Sequence, residues 1–237
     1  MPITNTYHPP ADCLHCPNRH LRTFCNFSPE ALRDYDQLGI MMTHARGTRL
    51  FTEGDTSRNV FVLCFGQVKI SSTSRDGKTM ILKIAGPGDV LGLSAAVANL
   101  PHEVTAEAIE PCQVKAMRKQ DFTDFLARHG VASMHAAQAL SSEYMTVFYD
   151  ARRLALSGSA SGRLARLLLD WGRTASNGKP EIRFTMALTH EEVASMAGTS
   201  RETVTRLLSQ FKRNQWIAVK GATMVITQPE KLERLSA

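Results

Sequence analysis

Between Leu188 and Phe211 apolar residues recur at helical spacing in two registers separated by Gly198. Val193, Ala194 and Met196 give the first helix an inner face, and Val204, Leu207, Leu208 and Phe211 give one to the second. Thr189 with Glu192, and Thr199 with Glu202, each fit the S/T-x-x-E capping pattern, so both helix starts are locally encoded. Gly198 supplies the turn, where a left-handed backbone is reached without steric cost. Upstream, GRLARLLLDWGRT reads as a further helix. EIRFTM and WIAVKGATMVIT read as strands, the latter a hairpin turning at Gly221 that would form a wing.

The first half of the chain has a different texture. SPEALRDYDQLGIMM (28–42) predicts an amphipathic helix capped by Ser28 with Pro29 at its first position. From Arg46 to about Met117, short β-like runs are separated by glycines, with a hairpin signal in the DGK at 76–78; this predicts a β-sandwich or jelly roll. After Asp121 the texture becomes helical. Ala137, Leu140, Tyr144, Val147, Ala151 and Leu154 follow the 3,4 spacing of a two-stranded coiled-coil seam, which predicts a homodimer; packing on the chain's own β domain is the other reading. LSGSASG (156–162) predicts a hinge, with Ser159 or Ser161 capping the next helix. The expected fold is α+β: a cysteine-containing arm (1–27), a β-roll domain (28–130), a dimerisation helix (131–156) and a winged helix-turn-helix (157–237).

With 237 residues, 43% hydrophobic and 21% charged, the chain suits two cored domains rather than global disorder. No apolar run reaches the length of a membrane span. The start MPITNTYHPPADCLHC lacks the pattern of a secretory signal, so the cytoplasm is expected and with it reduced thiols. Charge is unevenly distributed. Residues 152–237 carry 14 Lys+Arg against 7 Asp+Glu, whereas the first 151 carry 14 against 15. The positive excess therefore coincides with the helical pair, as attraction to phosphates requires.

That coincidence gives the second helix a function. Arg201, Glu202 and Arg206 share a face of it, and the second helix of a helix-turn-helix lies in the major groove of double-stranded DNA. There Arg201 and Arg206 would donate to guanine O6 and N7, and Glu202 would accept from a cytosine amino group. Thr189, Ser200, Thr203 and Thr205 are candidates for phosphate contacts. The plainer reading keeps Glu202 as a helix cap and the arginines as solvated charges.

A glycine-rich β-roll, a long helix, a hinge and a winged helix-turn-helix, in that order, resemble the Crp/Fnr family of bacterial transcription regulators. TSRETVTRLL and the spaced run FTEGD, VFVLCFGQVKI and GKTMILKIAGPGDVLG carry the resemblance, which covers nearly the whole chain from about Cys13. It implies a dimer on an inverted repeat of TGTGA-like half-sites read by Arg201, Glu202 and Arg206, and contacts with RNA polymerase. Members that bind cyclic AMP use a Gly-Glu pair for the ribose and an Arg-Ser pair for the phosphate. Here those places hold Gly92-Leu93 and His102-Glu103, so cyclic AMP is not the expected effector.

Cys13-x2-Cys16-x8-Cys25 resembles the cysteine cluster of the Fnr branch, which holds an oxygen-labile [4Fe–4S] cluster and implies oxygen or redox sensing. The second gap is longer than in that branch, and the fourth ligand's place falls on Lys115. Cys112 is the candidate fourth ligand, although an odd offset along a strand turns it to the other face. Zinc held by the three cysteines with His15 or His20, and free or redox-active thiols, are the alternatives. Cys64 reads as a small buried apolar residue. Cys13-x2-Cys16 could also be the dithiol of a cysteine-based redox enzyme. It lacks the α/β context of that chemistry and no other catalytic motif stands out, so an enzyme is not expected. A ligand-binding module that keeps the winged helix for packing alone is the third class.

Overall fold

The computed structural model describes residues 12–77, 79–156, 159–176, 182–186 and 188–236. Residues 1–11 of the N-terminal arm, Lys78 of the DGK turn, Ser157 and Gly158 of the hinge and Glu181 lie outside them. The chain divides into two compact units, one built chiefly on residues up to Met145 and the other on Thr146 onward.

In the first unit, two 3-10 turns (Arg19–Leu21, Thr23–Cys25) precede α1 (Pro29–Gln37). Ser28 caps α1 as expected, accepting from the Ala31 N–H at 3.3 Å, and Pro29 opens it. The helix is shorter than 28–42, however. Gly39 takes φ +63° and the following Ile40–His44 becomes strand β1. A left-handed glycine ends helices, and here a Cβ would stand 2.0 Å from the Ala116 carbonyl oxygen, so position 39 admits only glycine.

The remaining strands are β2 (Arg49–Phe51), β3 (Asn59–Phe65), β4 (Val68–Thr73), β5 (Thr79–Ala85), β6 (Val90–Leu91), β7 (Thr105–Ala108) and β8 (Cys112–Arg118), with the short α2 (Leu93–Ala98) after β6. They form two four-stranded sheets, ordered β1-β8-β3-β6 and β2-β7-β4-β5. This is the expected sandwich of short strands. β3 shows how its core is sorted. Val60 and Val62 enter a core with Phe24, Phe27, Tyr35, Phe122 and Phe125, whereas Phe61 and Leu63 enter a second core with Phe51, Val68, Leu91 and Val114. Alternation along a strand buried on both faces produces that division.

α3 (Lys119–Arg128) leads into α4 (Gly130–Leu156), which matches the expected long helix. Its apolar stripe is not quite the expected one. Leu140 packs on the aromatic core, while Met134, Tyr144, Val147 and Phe148 are exposed. Ala137, Tyr144, Val147 and Ala151 of the expected series are exposed, with Met134 and Phe148 exposed beside them.

The second unit contains α5 (Ala160–Ser176), β9 (Ile182–Thr185), α6 (His190–Ala197), α7 (Arg201–Arg213), β10 (Ile217–Lys220), β11 (Thr223–Ile226) and α8 (Pro229–Ser236). Ser159 caps α5, accepting from the Gly162 N–H at 3.0 Å. The strands pair antiparallel in the order β10-β11-β9, and Gly221 at φ +60° turns the hairpin. Leu164, Leu168, Val204, Phe211, Ile217 and Leu232 are nearly inaccessible and form the core. α8, which no sequence pattern announced, is held to α5 by an ion pair between Arg173 and Glu233.

Candidate DNA-reading face and cysteine cavity

α6 begins with the capping box the sequence predicts. The Thr189 hydroxyl accepts from the Glu192 N–H at 3.2 Å, and the Glu192 carboxylate accepts from the Thr189 N–H at 2.9 Å. Gly198 then takes φ +58° and closes the helix. At α7 the cap moves by one residue: Ser200, not Thr199, accepts from the Thr203 N–H at 3.3 Å. Glu202 is thereby released from the capping-box role. Its own N–H and the Ser200 hydroxyl hold the fully exposed carboxylate below the ordinary range.

α7 presents two opposed faces. Val204, Leu207, Leu208 and Phe211 are buried, and Arg201, Glu202, Thr205 and Arg206 are exposed. Among the described residues no ion pair engages Arg201 or Arg206. Of the four hydroxyl candidates for phosphate contact, Thr189 and Ser200 already serve as caps. Thr205 donates to the Arg201 carbonyl and meets His190 Nδ1, each at 2.9 Å, and Thr203 receives the Ser200 hydroxyl at 3.2 Å.

Sequence reasoning missed Arg163. From α5 its Nε donates to the Ala197 carbonyl at 2.8 Å and a terminal nitrogen donates to the Gly198 carbonyl at 3.0 Å. It clamps the turn that sets α7 against α6. No local pattern marks such a residue, because its partners lie 34 and 35 positions away.

In the first unit, Cys13, Cys16, Cys25 and Cys64 line one small cavity together with Arg19 and Arg22. Burial pushes the Cys13 and Cys25 thiols up to about 12, and Cys64 is also raised, chiefly by burial. The Cys13 N–H donates to Asp36 Oδ1 at 2.6 Å, and Arg22 donates to the Cys64 carbonyl at 2.9 Å. Arg22 also lines a second cavity, of about 620 Å³, against Gln138, Ser142 and Glu143 of α4. Burial raises the Glu143 carboxyl.

The expected fourth ligand is elsewhere. Cys112 is buried with Phe61, Leu63 and Val114 in the other core, while Lys115, three residues on, donates to the Asp36 carbonyl at 2.9 Å and lies over the Tyr35 ring. Strand parity is the cause. Cys64, read from the sequence as packing alone, is the fourth thiol at the cavity. His15 is exposed and paired with Asp12 at 2.9 Å. Four thiols with two guanidinium groups suit iron–sulfur or zinc ligation by donor type. As they stand, no three His, Cys, Asp or Glu side chains among the described residues are gathered closely enough to hold an ion.

The side chains at the positions expected to contact a nucleotide are engaged within the protein. Leu93 is 1% exposed and points into the core. His102, 4% exposed, stacks on Phe51 at 3.9 Å with an interplanar angle of 12°, and burial lowers its proton affinity. Glu103 accepts a hydrogen bond from Ser94 at 2.9 Å. No helix among the described residues is long and apolar enough to cross a membrane.

Two family models match the chain: a Crp-like helix-turn-helix domain over residues 162–235 and a cyclic nucleotide-binding domain over 41–129. A CRP-like cAMP-activated global transcriptional regulator from Mycobacterium tuberculosis is 28% identical over 190 residues, covering 80% of this chain and 84% of that one. The fumarate and nitrate reduction regulatory protein of Yersinia pestis is 24% identical over 230 residues, covering 94% and 90%. Among solved structures, FixK2 from Bradyrhizobium japonicum shares the fold with a TM-score of 0.74 at 21% identity, covering 84% and 98%. These relatives are regulators, not enzymes. The chain belongs to the Crp/Fnr family of DNA-binding transcription regulators.

Proposed function

We propose that this regulator binds an inverted repeat of TGTGA-like half-sites as a homodimer and responds to oxygen or redox state through its N-terminal cysteines rather than to cyclic AMP. The observation that carries the DNA assignment is the exposed Arg201, Glu202 and Arg206 face on a helix whose opposite face is buried. Two guanidinium groups and a carboxylate so placed match the edges of G·C pairs in the major groove. Thr203 and the hydroxyls of Thr189, Ser200 and Thr205, already fixed by intramolecular bonds, would meet phosphates and set register. The exposed stripe of α4 from Met134 to Phe148 supports pairing with a second copy. Half-sites would then lie about one helical turn, roughly 34–36 Å, apart. Contacts with RNA polymerase follow from the family, as does a place in the cytoplasm.

The effector reading rests on the β domain. A cyclic phosphate needs a fixed cation, and the position instead offers a buried, stacked His102 beside a carboxylate. The cysteine cavity offers a different input: an iron–sulfur cluster held by thiolates there would supply sensitivity to oxygen. Arg22 links that cavity to the one against α4, so a change at the thiols can bias the dimer helix. Selection of bound sequences from random duplexes, with and without oxygen, tests the whole reading. Recovery of a TGTGA-like repeat in only one of the two conditions is expected. Recovery of no motif in either would defeat it.

A further inference from the structure

We infer that Cys64 on β3, and not Cys112, is the fourth protein ligand of an iron–sulfur cluster held with Cys13, Cys16 and Cys25. The inference rests on the proposed cysteine-held cluster and gives it a definite ligand set.

Three observations converge on Cys64. First, it lies two residues beyond Val62, so strand alternation turns it toward the core that receives the N-terminal segment. Second, the pairing of β3 with β8 shifts register between Leu63 and Phe65, so Cys64 has no partner across on β8. Third, its thiol shares a cavity lining with the other three, whereas Cys112 is packed among apolar residues of the opposite core. Bringing Cys112 across would require turning β8 over, which would drive Gln113 and Lys115 into the apolar core that Cys112 and Val114 now occupy.

The surroundings are already set. Arg22 fixes the Cys64 carbonyl, Asp36 fixes the Cys13 N–H, and Phe24 anchors the 3-10 turn that carries Cys25. Arg19 and Arg22 supply positive charge beside a group whose thiolate ligands leave it negative. Structural zinc sites draw on two closely spaced ligand pairs. Here only Cys13 and Cys16 form such a pair, and Cys25 and Cys64 each stand alone in the sequence, which favours a cluster. The present cavity, about 20 Å³, holds little more than one water. Loading must therefore move the Cys13–Cys16 turn, since Cys64 is fixed in a sheet.

The test is anaerobic reconstitution of the full chain with ferrous iron and sulfide, followed by desalting, iron and sulfide analysis and visible absorption. The wild-type chain and Cys112→Ser are expected to retain about four iron and four sulfide each. Cys64→Ser is expected to lose at least fivefold in retained iron. Cys64→Ala, checked for native far-UV circular dichroism before loading, is expected to regain iron when a small exogenous thiol is supplied; a packing role would show no such rescue. Retention of wild-type iron by Cys64→Ser, loss by Cys112→Ser, or a wild-type chain that takes up no iron would each overturn the assignment. The readout is independent of DNA. A chain that loads through Cys64 yet selects no duplex upholds this ligand set and sinks the promoter reading.

Discussion

Replacing Arg163 by alanine removes the clamp on the helix-turn-helix without touching its DNA-facing side. At least two charge-assisted hydrogen bonds, of 2.8 and 3.0 Å, are lost from carbonyls at the end of α6, where the helix dipole also favours a cation. Bonds of this kind contribute about 1.5–3 kcal/mol each when charged. Because Arg163 is only half-buried and water can replace it at the carbonyls, the lower end applies, giving a loss of about 2–3 kcal/mol. Both tryptophans, Trp171 and Trp216, lie in the second unit, so urea unfolding of the full chain followed by tryptophan fluorescence reports that unit alone. With a urea slope of about 1 kcal/mol/M, suited to a unit this small, the midpoint should fall by roughly 2–3 M. Arg163→Lys, which can satisfy one carbonyl but not both at the fork's spacing, should recover about half of that loss. DNA affinity should fall without any change in base preference, since the reading residues are intact. A midpoint within about 0.5 M of wild type for Arg163→Ala would refute the clamp.

Arg206→Ala should behave in the opposite way. It should leave the urea midpoint unchanged and cost about 1–3 kcal/mol of binding at one base pair, measured on duplexes substituted singly along the half-site. Phe148→Arg in the exposed stripe of α4 is expected to give monomers in analytical ultracentrifugation, whereas a stable dimer would remove α4 from the interface. His102 is held neutral by burial, so its folded proton affinity lies below the ordinary value of 6.5. The unfolded chain then binds the extra proton, and stability present above pH 6.5 is lost as the pH falls below it. His102→Gln should flatten that part of the profile of first-unit stability, followed by far-UV circular dichroism. Gly66 holds φ +83° with the Pro111 oxygen 2.5 Å from where a Cβ would stand. Gly66→Ala should therefore destabilise the first unit by more than about 2 kcal/mol, read by thermal melting.

What local chemistry encodes, the amino-acid order alone revealed. The inner faces of α6 and α7, the Thr189 box, the left-handed Gly198, the Ser28 cap and the glycine-punctuated strands all come from spacing and backbone preference. So does the exposed side carrying Arg201, Glu202 and Arg206, because four residues place Glu202 and Arg206 one turn apart and the apolar Val204, Leu207, Leu208 and Phe211 take the opposite side. Where a neighbour distant in sequence decided the outcome, spacing was silent. Leu140 turns inward because an aromatic core is already there to receive it, while Tyr144 and Val147 of the same series stay exposed. Arg163 finds carbonyls that only the packing of α5 on α6 brings within reach. Cys64 and Cys112 are both buried cysteines on neighbouring strands. Which of them meets the N-terminal thiols depends on sheet register and on which face each strand turns toward the arm, and those are properties of pairing between strands rather than of either strand's own residues.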